Sequence, residues 1–241
     1  MSLITQSDLK KLSACAKDLM ASADEAELRQ KVVFKWLPAF IPSDWISCNE
    51  FYKGERLSII MDRDMALLAT YGEAFNQYIH EHPCYQLGEG GISMPLKISD
   101  FLTQEQFHKL TLYQEVYRHI GVEYQMSTST QPVPGYLVGL ALSRTHKDYD
   151  ERERVLLSLM QPGLEKSFRE MRRRAELKSL SARELEVFDW VGKAKTNKEI
   201  GQILGISPRT VQKHLESVFE KLGIESRTGA ALWMKSMKPS A

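Results

Sequence analysis

Arg209, Gln212, Lys213 and Glu216 recur at a spacing that sets them on one side of a helix. Their types are those that hydrogen-bond to the edges of bases. Arg and Lys reach guanine O6/N7 or a phosphate, Gln pairs with adenine N6/N7, and Glu accepts from cytosine N4. At ~100° per residue, Val211, Leu215, Val218 and Leu222 fall within about 60° of one another and form an apolar back for the same helix. Glu220 completes the outward strip, and Thr210 and Ser217 flank it. His214 sits between strip and core, a position for packing or phosphate contact. Thr196, Asn197 and Lys198 open the preceding helix, whose N-terminal amides can hold a phosphate. In an isolated helix such a strip would be read as a solvated charged face.

The punctuation around the strip decides against that. Ser181 with Glu184, and Thr196 with Glu199, fit the capping box, in which hydroxyl and carboxylate satisfy backbone donors reciprocally. Ser207 then caps a third helix whose first residue is Pro208, where no N–H is needed. Leu204-Gly205-Ile206 makes a short glycine turn between the second and third starts, as a helix-turn-helix requires. These elements imply recognition of double-stranded DNA, with the third helix in the major groove and its N-terminal half nearest the bases.

The run from Leu180 to Ala231 resembles the C-terminal DNA-binding domain of the LuxR/FixJ/NarL family of bacterial transcription regulators. The residues that carry the likeness are 180–188, 196–207, 210–227 and Ala230-Ala231. Gly201 stands where the family usually has Ala, and Gln212 where a basic residue is common. The resemblance implies a fourth helix, from Ser226 to Met237, that commonly mediates dimerisation. Ala230, Trp233, Met234 and Met237 would be its contact stripe, unless they close the small core of a monomer.

Residues 178–241 carry 11 Lys/Arg against 7 Asp/Glu, and the rest of the chain 21 against 24. A mildly basic end on a mildly acidic body suits a dedicated DNA module working as a homodimer, not a protein coated in nucleic acid. The 241 residues, 43% hydrophobic and 26% charged, allow a second domain with its own core. The N-terminus lacks the pattern of a signal peptide, and no apolar run is long enough to span a bilayer, so a cytoplasmic protein without membrane contact is expected. Cys15, Cys48 and Cys84 are odd in number and widely spaced, which fits free thiols.

Three regions follow from these patterns: 1–147, 148–178 and 179–241. The fold expected is α+β in the first, an antiparallel sheet flanked by helices, and all-α with four helices in the last. Helices are expected over 7–20, 24–40, 64–82 and 99–119. Strands are expected over 45–52, 56–61, 92–98, 121–130 and 135–143, with Lys53-Gly54-Glu55 turning the first hairpin and Gln131 to Pro134 the last. From Asp148 to Leu177 the spacing of Leu156, Met160, Leu164, Phe168, Met171 and Ala175 predicts one long helix, kinked at Pro162. Its stripe either packs on the sheet or forms a dimer seam.

Residues 1–170 resemble, more loosely, the GAF/PAS-like sensor domains that precede such modules, through 98–102, 112–117 and 120–125. That implies an unidentified small-molecule ligand in a pocket of Trp45, Tyr71, Tyr78 and Tyr113. Members that sense acyl-homoserine lactones show an Asp-Pro pair; here the pair is His82-Pro83, without the carboxylate. The competing reading is a ligand-free dimerisation or protein-docking domain. His80, His82 and Cys84 have types that bind zinc, but residues two apart at a helix end point in different directions, so no metal is expected. No GxSxG, HExxH or phosphate-binding loop is present, so neither catalysis nor a cofactor is expected. An activator would also engage RNA polymerase.

Overall fold

The computed structural model describes residues 3–52, 55–62, 66–85, 94–133 and 135–236. Lys53, Gly54, Pro134 and Met237, named above, lie outside them, as do the starts of the expected helix 64–82 and strand 92–98. The chain divides into two compact units, Met1–Glu170 and Met171–Ala241. No helix of the described residues is long and apolar enough to cross a membrane.

In the first unit, α1 (Gln6–Met20) starts at Thr5, which exchanges hydrogen bonds with Asp8 as a capping box. The next helical run starts at Asp24 as α2 (Glu25–Gln30), widens to π-helix over Lys31–Trp36 and ends as α3 (Leu37–Phe40). Pro38 has no N–H to return to the preceding turn, and the wider turn before it, with the Leu37 amide bonded to the Val32 carbonyl, absorbs that gap. Leu28, Val32, Val33 and Leu37 are fully buried by this run.

Five strands follow: β1 (Trp45–Tyr52), β2 (Glu55–Met61), β3 (Leu96–Lys97), β4 (Tyr124–Val133) and β5 (Tyr136–Arg144). They form one antiparallel sheet in the order β2-β1-β5-β4-β3. Register assigns the faces. Cys48 pairs with Leu140 and Leu140 with Thr128, while Asn49 pairs with Gly139 and Gly139 with Ser129. One face therefore carries Ile46, Cys48, Glu50, Val138, Leu140 and Leu142. It lies under α2, where Arg29 bonds Glu50 at 2.8 Å, and under the long helix α7 (Glu151–Lys178), where Gln161 donates to Thr128. Leu156, Met160, Leu164 and Phe168 are buried, so up to Phe168 the stripe of α7 is spent within the chain. Helix α7 runs unbroken through Pro162.

The opposite face holds Trp45 with Ser47, Asn49, Gln125, Ser127, Ser129, Gly139 and Ser143. Helix α4 (Ala66–Tyr78) and the segment from 98 to 120 cover it. That segment is not the single helix its sequence suggests. It is a 3₁₀ turn (Ile98–Asp100), α5 (Gln104–His108), a π turn (Tyr113–Tyr117) and α6 (Arg118–Ile120). Asp100 turns back to the Lys97 amide at 2.8 Å and Thr103 caps a fresh start with Gln106, so the polar side chains restart the helix. Two further expectations shift. Strand β3 covers only two residues, and β4 extends to Val133, which pairs with Tyr136 across a turn containing Gly135 at φ 76°. Pro132 is tolerated because the register slips between Thr130 and Val133.

The second unit is helical: α8 (Ala182–Gly192), α9 (Asn197–Leu204), α10 (Pro208–Leu222) and α11 (Arg227–Ser236). Val187, Phe188, Ile200, Val211, Leu215, Val218, Leu222 and Ala230 form its core.

Candidate nucleic-acid interface

Both capping boxes of the C-terminal unit form, and Ser207 caps α10 through the Thr210 amide at 3.0 Å. Gly205 sits at φ 65°, the left-handed conformation that closes α9 and turns the chain into α10. Gly201 has a separate reason. A Cβ there would lie 2.7 Å from the Ile206 carbonyl oxygen, so this turn passes too close for alanine.

The back of α10 is the stripe read from the sequence, with Val211, Leu215, Val218 and Leu222 all buried. Glu184 holds the helix from behind. Besides capping α8, its carboxylate accepts from Ser217 Oγ at 2.6 Å and from Lys221 Nζ at 2.7 Å, and these donors hold its pKa down at about 2. The hydroxyl of Ser217 is thus committed inside the unit. Thr210 is half-buried with its hydroxyl 2.8 Å from Ser207 Oγ, and His214 is half-buried at the edge of the strip.

Outward stand Arg209, Gln212, Lys213, Glu216 and Glu220, all exposed. Lys198 is exposed on the first turn of α9, beside a shallow groove formed with Gly201, Gln202, Gly205 and Ser207. The charges here are uneven. Lys195 and Lys221 are paired with Glu199 and Glu184, whereas Lys198, Arg209 and Lys213 have no carboxylate partner among the described residues. Unpaired cations beside a neutral amide form a surface whose missing counter-charge a phosphate backbone would supply.

Thr196 is committed to the α9 cap, and Asn197 reaches across to α10. Its Nδ2 donates to Gln212 Oε1 at 2.8 Å, and its Oδ1 accepts from Arg227 Nη1 at 2.9 Å. Gln212 Nε2 in turn donates to Glu216 at 3.1 Å. Arg227 escaped the reading of the sequence, because spacing gave no sign that the start of α11 touches the start of α9. Ala230 is buried in the unit's own core, and Trp233 and Met234 pack against it, with the Trp233 ring 5.4 Å from Phe188. These are the contacts of the core-closing alternative; Met237 lies outside the described residues.

In the first unit, Trp45, Tyr71, Tyr78 and Tyr113 do come together in one apolar cluster with Phe107 and Tyr117. Tyr113 donates to Glu123 at 2.6 Å, and burial, helped by that carboxylate, pushes its hydroxyl up to about 12. The Trp45 indole N–H is buried and has no acceptor among the described residues. His82 does not face His80 and Cys84 as a metal site would. Its Nε2 lies 2.7 Å from Gln125 and its Nδ1 accepts from the Cys84 amide at 3.1 Å, while His80 Nδ1 stands 3.0 Å from the Gln77 carbonyl. Burial pushes the Cys84 thiol up to about 12, away from the thiolate that binds metal. Cys15, Cys48 and Cys84 are all free and buried.

Residues 178–234 match the family model for bacterial regulatory proteins, luxR family. The relatives include the putative HTH-type transcriptional regulator YhjB of Escherichia coli, 46% identical over 59 residues, 24% of this chain and 30% of that protein. The transcriptional activator protein BjaR1 of Bradyrhizobium diazoefficiens is 36% identical over 101 residues, 40% of each. The chain thus spans well under half the length of these relatives. Among solved structures, Escherichia coli SdiA superposes over 95% of this chain and 97% of its own with a TM-score of 0.54 at 16% identity. CepR2 of Burkholderia cenocepacia, described as an N-acylhomoserine lactone dependent LuxR family factor, covers 69% of this chain and 98% of its own at 0.53 and 14%. At these identities the likeness is one of fold: a five-stranded antiparallel sheet with helices, joined to a helix-turn-helix domain.

Proposed function

We propose that this chain, whose C-terminal unit is a luxR-family helix-turn-helix domain, is a transcription regulator that binds promoter DNA as a homodimer. Helix α10 lies in the major groove, with Arg209, Gln212 and Lys213 at the bases and Lys198 on a phosphate. The observation that carries this is the set of exposed cations, Lys198 on α9 and Arg209 and Lys213 on the same helix as the Gln212 amide, that have no carboxylate partner among the described residues. Two such helices related by a twofold meet half-sites about one helical turn apart. Genome-wide binding with the full chain, followed by footprinting, is expected to recover an inverted repeat of that spacing. Recovery of unrelated, non-repeated sites overturns the dimeric reading, and no DNA protection at all overturns the regulator.

The N-terminal unit acts as the sensor. Its inner sheet face is lined by serines and amides, with glycine at position 139, and an apolar core has no use for such a face. The buried Trp45 N–H leaves a donor whose desolvation costs about 1–3 kcal/mol until an acceptor arrives. The ligand is accordingly a small amphiphile that offers Trp45 a carbonyl or hydroxyl oxygen and the Tyr71–Tyr78 side an apolar chain. One solved neighbour is described as SdiA in complex with octanoyl-rac-glycerol, which has both parts. An acyl-homoserine lactone fits less well, since His82 replaces the carboxylate and is committed to Gln125. Mass spectrometry of small molecules retained by the purified full chain is the test. An acyl-chain compound lost in Trp45→Phe supports sensing; an empty protein supports the ligand-free docking reading.

A further inference from the structure

Gln212, Asn197, Arg227 and Glu216 belong to three different helices yet form one chain of hydrogen bonds. Its polarity is set from both ends. A guanidinium only donates, so Arg227 Nη1, 2.9 Å from the Asn197 side chain, must face that side chain's oxygen. This turns Asn197 Nδ2, which only donates, toward α10, where it takes the Gln212 oxygen at 2.8 Å. The Gln212 nitrogen is then left facing Glu216, which only accepts, at 3.1 Å. Donor-only at one end and acceptor-only at the other agree on one orientation for both amides, removing the ambiguity a lone side-chain amide carries.

We propose that Arg227, acting through Asn197, is a positioning residue that fixes which way the Gln212 amide faces and thereby which base α10 prefers. The inference rests on α10 being the recognition helix. After its two internal bonds, Gln212 keeps one N–H on Nε2 and one lone pair on Oε1 for the groove. Those are the two groups adenine asks for at N7 and N6, and the chain presents them in a single order. Reversing the order would break the Asn197 bond on one side and the Glu216 bond on the other. Arg227 is held independently, since its Nη2 donates to the Lys195 carbonyl.

The test is selection of binding sites from a randomised duplex library by the full-length protein and its variants. Asn197→Ala keeps the Arg227–Lys195 anchor while cutting the relay. It should flatten the preference at the one position read by Gln212 by about fivefold or more, leaving the other positions unmoved. Asn197→Asp still accepts from Arg227 but can no longer donate. The new carboxylate and Glu216 then both call for the Gln212 nitrogen, so the amide loses its single order and the preference at that same position is expected to flatten. In a Gln212→Ala background both substitutions should leave the pattern alone. Arg227→Ala should reproduce Asn197→Ala. If the variants bind and keep the wild-type preference at every position, or lose affinity equally for all sequences, Arg227 and Asn197 only hold the fold together and the proposal fails. Absence of site-specific binding by the unsubstituted protein would instead overturn the regulator reading on which the proposal stands.

Discussion

Glu184 joins the start of α8 to the far end of α10 through one carboxylate, bonding the Ser181 amide at 2.7 Å, Ser217 Oγ at 2.6 Å and Lys221 Nζ at 2.7 Å. The capping half is legible from Ser181 and Glu184, three residues apart. The clamping half is not, because Ser217 and Lys221 lie 33 and 37 residues away and nothing local distinguishes them from a solvated face. From the sequence, Ser217 therefore shows only as a residue on the flank of the outward strip. Replacing Glu184 with Gln keeps the shape and removes the charge, and is expected to lower the stability of the C-terminal unit by about 1–3 kcal/mol in urea titration. With its pKa held at about 2, below the unfolded value, the group's contribution is present above pH ~4.5 and lost as pH falls toward ~2. Lys198 makes the opposite case, a side chain with no partner to lose among the described residues. Lys198→Ala should leave stability unchanged and weaken matched and scrambled duplexes alike, lowering the salt slope of binding by about one unit. A loss confined to the matched duplex would mark Lys198 as a base reader.

Among the elements, those whose signals are local and self-consistent stand out in the sequence. The β1–β2 and β4–β5 pairs are bracketed by turn residues, and α8 to α10 carry their own caps, so the expected strand bounds and helix starts fall within a few residues of the structure. The 98–120 segment misleads because its apolar spacing is helical throughout, while Asp100 and Thr103 cap and restart the chain inside it. The pairing of Trp45 with the helices opposite needs the sheet register, which no single strand encodes. Gly201 shows local propensity losing to tertiary geometry. A helical glycine normally costs up to about 1 kcal/mol relative to alanine, so Gly201→Ala should on propensity alone stabilise α9. The added Cβ, however, would meet the Ile206 backbone oxygen at 2.7 Å, an atom that moves only if the α9–α10 turn opens. Overpacking of this kind costs about 1–3 kcal/mol. The variant is therefore expected to be destabilised in urea and to bind its site more weakly, since the turn aims α10. A variant that gains stability would show that the turn yields freely.

For the molecule as a whole, the two units have separate cores and separate titrating groups, so equilibrium unfolding should resolve two transitions. Acid distinguishes them. In the N-terminal unit, burial drives the His82 pKa down to about 4, against the hydrogen bond to Gln125 and one to the backbone, which favour the charged form. The groups packed around it, Tyr117 and Cys84, are themselves held neutral by burial. The unfolded chain takes up this proton near pH 6.5 and the folded one only near pH 4, so between those values the unfolded state binds more protons and stability falls as pH falls. Over that window the loss approaches about 3 kcal/mol at ~1.4 kcal/mol per pH unit. The carboxylates with pKa values held at about 2, Asp18 in the first unit and Glu184 and Glu199 in the second, act only below pH ~4.5. Scanning calorimetry from pH 7 to 4.5 is thus expected to move the first unit's endotherm down in temperature and not the second's, where burial raises the Glu176 carboxyl so that acid favours the folded unit. Glu184→Gln identifies the second unit's endotherm by lowering that one alone at pH 7. His82→Gln removes the titrating group and should hold the first unit's endotherm steady across the same range. If that endotherm still falls with pH in His82→Gln as it does in the parent protein, the acid sensitivity of the sensor fold lies in some other group.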